Sequence, residues 1–331
     1  MSVLERRALV PGGAQHGLQQ AGNYHEVGAS FECAGQAMFG VLSLPDQPAR
    51  RAVLIVVGGP QYRAGSHRQF TLLARRLAEQ GIAALRFDYR GMGDSEGEAR
   101  SFDDVGDDLR SAVDHLAAVP GIEDIVIWGL CDAASAALFY AGRDKRVSGL
   151  VLLNPWARTT GGVAKATLKH YYRQRLMDPA LWKKIASGRF DYRAAAASFV
   201  RLVGAAFGKG KGVHVAADAP APAGAGANAV ANAAGNAAAS APASAADCDD
   251  LPGRMLAGLN EFKGKVLLIM SGADLTAQEF SEVVKASRPW QRQLALPRVS
   301  QRAIGPADHT FSRRVWRDQV ADWTAQWVKS W

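Results

Sequence analysis

Three residues in this sequence have chemistry to offer, each just beyond a predicted strand: a cysteine, an acid and a histidine. The strand predicted over Ile125–Trp128 runs into Gly129-Leu130-Cys131-Asp132-Ala133, and a helix follows. A nucleophile flanked two residues away on each side by small residues, here Gly129 and Ala133, is the pattern of a nucleophile elbow. That turn is strained, so those flanking side chains must be tiny for it to close. The helix N-terminus favours an anion through its dipole and its unpaired N–H groups, which suits a thiolate at Cys131. Met270-Ser271-Gly272-Ala273-Asp274 places an acid after a later strand, and Gly305-Pro306-Ala307-Asp308-His309 places a histidine after the next. Nucleophile, acid, histidine is an order in which the acid orients the imidazole and the imidazole takes the nucleophile's proton. Each residue alone has a plainer reading: an inert buried thiol, a helix cap at Asp274, a loop histidine. Asp308 competes with Asp274 for the acid role, but beside His309 on an extended chain it points elsewhere. Three strand ends in this order carry the triad.

Those positions require a scaffold of alternating strands and helices. An opening hairpin is predicted over Phe31–Leu44, and Ala52–Val57 is a continuous apolar run ending in Gly58-Gly59-Pro60, the signature of a strand buried on both faces. A helix over Phe70–Leu77 stops at Gly81, a strand covers Ile82–Phe87, and a helix with acids in its first turns covers Asp103–Ala118. After the cysteine come a helix over Asp132–Tyr140 and a strand over Val147–Leu153. The C-terminal part reads as strand Phe262–Met270, helix Ala277–Ser287, strand Val299–Ile304 and helix Ser312–Trp327. This alternation predicts an α/β fold: a mostly parallel central sheet with helices on both faces. It breaks between Asn154 and Phe262. Helices predicted over Val163–Leu176, Ala180–Ile185 and Asp191–Phe207 read as a cap over the carboxyl ends of the strands, where such folds bind ligands.

Within that insertion, 18 of the 31 residues from Ala216 to Ala246 are alanine, broken by Pro, Gly, Asn and Ser. So little apolar surface cannot offset chain entropy, and the tract reads as a disordered linker. The expected organisation is a loose lead-in over 1–24, core over 25–156, basic helical cap over 157–215, alanine-rich linker over 216–250 and core again over 251–331.

With 331 residues, 48% of them hydrophobic, the chain can build a core without disulfide or metal staples. Three scattered cysteines argue against a disulfide framework or a Cys-rich zinc site. The N-terminus lacks the apolar stretch of a signal peptide, and no run of ~20 apolar residues could span a membrane. A reduced, cytoplasmic protein is expected. The net charge of +8 is local: twelve basic residues face two acids between Arg158 and Lys211, and the rest of the chain is slightly negative. Lys165, Lys169 and Arg173 recur every four residues, one helical face beside Tyr172 and Leu176. A solvated amphipathic surface accounts for such a face; an anionic substrate or peripheral contact with an anionic membrane is the sharper reading. No nucleic-acid reading module accompanies the charge.

Gly91-Met92-Gly93-Asp94-Ser95-Glu96-Gly97 is one residue too long for a dinucleotide fingerprint and follows the wrong strand, so no nucleotide cofactor is expected. Asp103, Asp104, Asp107 and Asp108 read as a solvated first helical turn, and no convergent ligand set suggests a metal. The D-Y-R-G-x-G-x-S-x-G segment (Asp88–Gly97), Gly58-Gly59, the elbow, Asp274 and Asp308-His309 together resemble the α/β-hydrolase superfamily. More narrowly, Gly129–Ala134 and Gly58–Phe70 resemble the exosortase A system-associated hydrolase 1 family, over about residues 24–200 and 255–328. That bacterial family is encoded near exopolysaccharide and exosortase genes. The resemblance implies a hydrolase whose natural substrate is undefined.

For the oxyanion hole, the backbone N–H of Asp132 is the expected first donor. Pro60 has no N–H, so the second is Gly59 or Gln61, with Gln61 preferred. The reading is a hydrolase of esters or thioesters that forms an acyl-cysteine at Cys131, with His309 as base and Asp274 as its orienter. Its substrate is a small-molecule or carrier-linked acyl compound. Acyl transfer from the same cysteine, or a non-catalytic binding protein of the same fold, are the alternatives.

Overall fold

The computed structural model describes residues 23–59, 61–157 and 251–331. Most of the lead-in, Pro60, the basic segment with Lys165, Lys169 and Arg173, and the alanine-rich tract lie outside the described residues.

Strands β1 (Tyr24–Cys33) and β2 (Gln36–Pro45) form an antiparallel hairpin. Its turn residues, Ala34 and Gly35, both have positive φ. The hairpin begins at Tyr24, earlier than the expected Phe31. Glu26 explains why: it is a charged residue buried inside the strand, where it receives bonds from Arg75 Nη2 at 2.7 Å and Ser43 Oγ at 3.1 Å. A buried ion pair disguises a strand that apolar alternation would reveal.

Six further strands follow: β3 (Arg51–Val56), β4 (Ala83–Phe87), β5 (Asp124–Leu130), β6 (Val147–Leu153), β7 (Lys265–Ser271) and β8 (Val299–Ile304). Among the described residues they form one eight-stranded sheet in the order β1-β2-β4-β3-β5-β6-β7-β8, parallel from β4 to β8. The expected fold class is what is seen. Because side chains alternate along a strand, β3 divides its apolar run between two cores. Ala52, Leu54 and Val56 pack with α2 (Gly106–Ala117), α3 (Asp132–Ala141), α4 (Leu251–Glu261), α5 (Leu275–Ala286) and α6 (Arg288–Leu294). Val53, Ile55 and Val57 pack instead with α1 (Gln69–Glu79) and α7 (Arg314–Lys329). Every one of these six side chains is nearly or wholly buried, and burying each of the five larger than alanine contributes about 1.5–3 kcal/mol.

Helices α4 and α6 are additions to the expected elements. Both carry proline near their start, Pro252 and Pro289. A proline that reads as a breaker is tolerated in a first helical turn, where its missing N–H has no partner to lose.

The acids before α2 need a correction. Asp103 and Asp104 precede the helix, and Asp108 is not solvated. Its carboxylate is fully buried and takes three bonds from Arg90, from the backbone N at 2.8 Å, Nε at 3.0 Å and Nη2 at 2.9 Å. Charge in a sequence says nothing of whether a partner sits one loop away.

From β3 the chain moves outward to β4, while β5 lies on β3's other side. The carboxyl ends of β3 and β5 therefore lie at a topological switch point, where open α/β sheets place their ligand sites. Gly58-Gly59 leave one strand there and Cys131 leaves the other.

Candidate active site

Cys131 stands between β5 and α3 with φ 64° and ψ −125°, a conformation costly for any residue with a side chain. Packing enforces it. A Cβ on Gly129 would lie 2.6 Å from the Ala133 carbonyl carbon and oxygen and 2.8 Å from Ala134 N, so only glycine lets the turn close. Ala133, on the other side, is itself buried. The Cys131 amide donates to Leu153 O at 2.9 Å, and its carbonyl accepts from Trp156 N at 3.1 Å. The half-buried thiol thus sits at the N-terminus of α3 and is not in a disulfide.

Asp274 does two things at once. It is the N-cap of α5, its Oδ2 accepting from Ala277 N at 2.9 Å, and the same oxygen lies 3.0 Å from His309 Nδ1. The cap fixes the carboxylate on the helix end while the imidazole takes its remaining lone pair. The two loops are also stitched together: Gly272 N donates to Ile304 O, and Ala273 N to Ala307 O, both at 3.0 Å. Gly272 permits this, since a Cβ there would meet Gly305 O at 2.2 Å. Asp308 faces away from the imidazole bond and accepts from Ser312 N at 2.9 Å and from Ser312 Oγ, closing its own turn.

Burial works against the His309 imidazolium. The Asp274 bond, with the charges of Asp274, Asp132 and Asp308, outweighs it and holds the imidazole above the usual histidine range. With Nδ1 turned to Asp274, Nε2 is the nitrogen left for proton transfer.

The Asp132 side chain is a feature that the motif alone did not disclose. Its Oδ2 accepts from Gly59 N at 2.9 Å and its Oδ1 from Ala133 N at 2.9 Å. Burial pushes this carboxyl up, against those two N–H bonds and the nearby His309. A Cβ on Gly58 would lie 2.3 Å from Asp132 Oδ1, so the first glycine of the loop is there to let it approach the elbow. Of the two expected second oxyanion donors, the Gly59 N–H is already engaged. Gln61 is half-buried, its Oε1 accepting from Ser66 N at 3.1 Å.

The loop that carries Gln61 is anchored by the D-Y-R-G segment. Arg63 N donates to Asp88 Oδ1 at 2.6 Å, and the Arg63 guanidinium binds Asp88 and, at 2.5 Å, Asp94. Gly93 makes room, because a Cβ there would lie 2.2 Å from Asp88 Oδ2. Gly93 thus serves a side-chain clamp, within a glycine-rich segment that superficially resembles a dinucleotide fingerprint.

Asn154, which the sequence reading passed over, is fully buried just beyond β6 with φ 42°. It donates from Nδ2 to His309 O at 3.0 Å and accepts at Oδ1 from Ser271 N at 2.9 Å. Among the described residues no cluster of His, Cys, Asp or Glu could hold a metal, and no helix is long and apolar enough to cross a membrane.

A mostly parallel eight-stranded sheet, with a strand–Cys–helix turn after β5 and acid and histidine loops after β7 and β8, is the α/β-hydrolase fold. The family model for serine aminopeptidase, S33 matches residues 47–191. The quorum-quenching protein AidA of Acinetobacter baumannii is 31% identical over 124 residues, 36% of this chain and 40% of that protein. The polyketide transferase grgF of a Penicillium species is 34% identical over 94 residues, 27% of this chain and 32% of that one. The chain thus matches less than half the length of these curated relatives. The esterase Pf2001 of Pyrococcus furiosus superposes over 92% of both chains with a TM-score of 0.56 at 15% identity. The matched family is named for serine; at its elbow this chain carries Cys131.

Proposed function

We propose that this protein is an enzyme hydrolysing carboxylic esters or thioesters, of the EC 3.1 kind, through Cys131, His309 and Asp274. The observation that carries the reading is the Asp274 carboxylate, fixed as a helix cap and bonded at 3.0 Å to His309 Nδ1, in a chain whose cysteine occupies a strained strand-to-helix elbow. The imidazole would take the thiol proton at Nε2 as sulfur attacks the acyl carbon. The oxyanion forms against the Asp132 N–H and a donor from the Gln61 loop. Collapse of the intermediate expels the alcohol or thiol, which leaves with the proton from the imidazolium. Water then attacks the acyl-cysteine, His309 takes its proton, and the acid departs as the thiol is restored. A sulfur nucleophile favours acyl groups with good leaving groups, hence esters and thioesters before amides.

Acyl transfer to an acceptor other than water is the second reading, supported by the polyketide transferase relative. A tie to exopolysaccharide or exosortase systems rests on the sequence resemblance, and a cytoplasmic site of action on the few, scattered cysteines. The test is a panel of p-nitrophenyl esters and acyl thioesters with mass spectrometry of the peptide bearing residue 131. An acyl adduct that forms and decays in the parent, with turnover abolished in Cys131→Ala, is the expected result. Parent-like turnover in that variant rejects the reading, and a folded protein inert to every substrate points to a binding protein.

A further inference from the structure

The segment from Leu153 to Trp156, at the exit of β6, bonds to Cys131, to His309 and to the end of the strand that leads to Asp274. Leu153 O accepts the Cys131 amide at 2.9 Å, and Trp156 N donates to the Cys131 carbonyl at 3.1 Å. Trp156 O accepts from Ser135 Oγ in the second turn of α3 at 2.7 Å, so the elbow is gripped from both ends. Between these contacts stands Asn154. Its backbone N donates to Ile269 O at 3.2 Å, joining β6 to β7. Its side-chain oxygen accepts from Ser271 N, the last residue of β7, three positions before Asp274. Its side-chain nitrogen donates to the carbonyl of His309.

We infer that Asn154 is the positioning residue of this site, holding the backbone of His309 in register with the acid-bearing strand and the cysteine-bearing elbow. The residue type follows from three demands that meet at one point. A positive φ is tolerated by Asn and Asp better than by other side chains. A buried backbone N–H needs an acceptor, and a buried carbonyl needs a donor. Asparagine tolerates that φ and carries both groups on one short arm whose oxygen and nitrogen share a single carbon. Aspartate has no hydrogen to give the His309 carbonyl unless it is protonated, and glycine meets neither partner. Asn154 touches no reacting atom. It acts through His309, whose carbonyl it fixes while Asp274 fixes the ring. A displacement of about 1 Å in such a group can cost roughly 100-fold in rate.

The inference rests on the proposed triad, and the experiment separates the two. Asn154→Asp keeps the shape, the acceptor for Ser271 and the tolerance of φ; Asn154→Gly keeps the backbone geometry and removes both bonds. Three quantities are read in the purified full chain. They are kcat and KM for p-nitrophenyl acetate, the pH profile of Cys131 alkylation by iodoacetamide, and the downfield proton resonance of the His309–Asp274 bond. The expected result in both variants is a fall of roughly 10- to 100-fold in kcat with KM within about threefold. A displaced alkylation profile and a broadened or shifted imidazole resonance should accompany it. Parent-like kcat and an unmoved resonance overturn the inference. So does a loss of kcat matched by lower melting temperature with profile and resonance unchanged, since that is general destabilisation. Should Asn154→Gly fail to fold, Asn154→Asp decides. Should Cys131→Ala retain parent turnover, the triad reading has failed, and the His309 resonance in Asn154→Asp still judges the role of Asn154.

Discussion

At the scale of single residues, one oxygen of Asp274 both caps a helix and bonds an imidazole. Capping α5 and bonding His309 use separate lone pairs, so the carboxylate is held by the helix before the imidazole reaches it. The electrostatics of His309 give a pH dependence with a defined sign. Burial lowers its proton affinity, but Asp274 and the other nearby acids raise it further, to above the ordinary 6.5. If His309 is the general base proposed above, it works only when neutral, and the acid limb of kcat/KM should lie above the ordinary histidine value of 6.5. Asp274→Asn removes the principal raising partner, and the limb should move to lower pH while the plateau falls by roughly 10⁴-fold. A pH–rate profile of both proteins decides this; a limb that stays in place would show that Asp274 does not set the charge of the imidazole. Cys33 forms the contrast to Cys131: buried in the core, its thiol is pushed up by desolvation and has no access to reagent.

At the scale of elements, the site depends on close approaches between loops, and charge pairs at their bases maintain those approaches. Arg63 binds Asp88 and Asp94 and thereby ties the Gln61 loop to the turn after β4. One loop further, Arg90 and Asp108 tie that turn to α2 through a pair that is almost entirely buried. Removing one partner of such a pair leaves the other charged and unsatisfied. Asp108→Ala should therefore cost about 3–5 kcal/mol, read as a lower midpoint in urea unfolding. A midpoint equal to the parent's would mean that Arg90 finds another partner or water in the variant. The elbow follows the same logic without charge, since any side chain at Gly129 would meet the Ala133 backbone.

At the scale of the whole molecule, the positive charge is concentrated between Arg158 and Lys211, and the rest of the chain carries a small negative excess. If that segment receives anionic acyl substrates, reversing Lys165, Lys169 and Arg173 to Glu should raise KM several-fold for a carboxylated ester. For a neutral ester of the same size KM should stay unchanged, and the difference should shrink as salt is added. Steady-state kinetics at two ionic strengths test it. Equal KM changes for the two esters would assign the charge to solubility alone.

The chain order of Cys131, Asp274 and His309, the glycine that permits the Cys131 turn, and the alternation that builds the sheet could all be read from the residues. Each is local: a turn that excludes Cβ, a strand with period two, a helix stopped by Gly81. The pairing of Arg90 with Asp108 could not be read in this way, nor could Glu26 inside β1, the Asp132 carboxylate on the Gly59 N–H, or the hold of Asn154 on His309. In each case the partner lies beyond the reach of local periodicity, 18 positions away for Arg90 and Asp108 and 155 for Asn154 and His309. Composition near the residue carries no trace of it. Local sterics and periodicity act on neighbours in the chain and are written in the sequence. A buried polar group is made tolerable only by whatever the folded chain brings within hydrogen-bond distance, and that is decided by the tertiary structure.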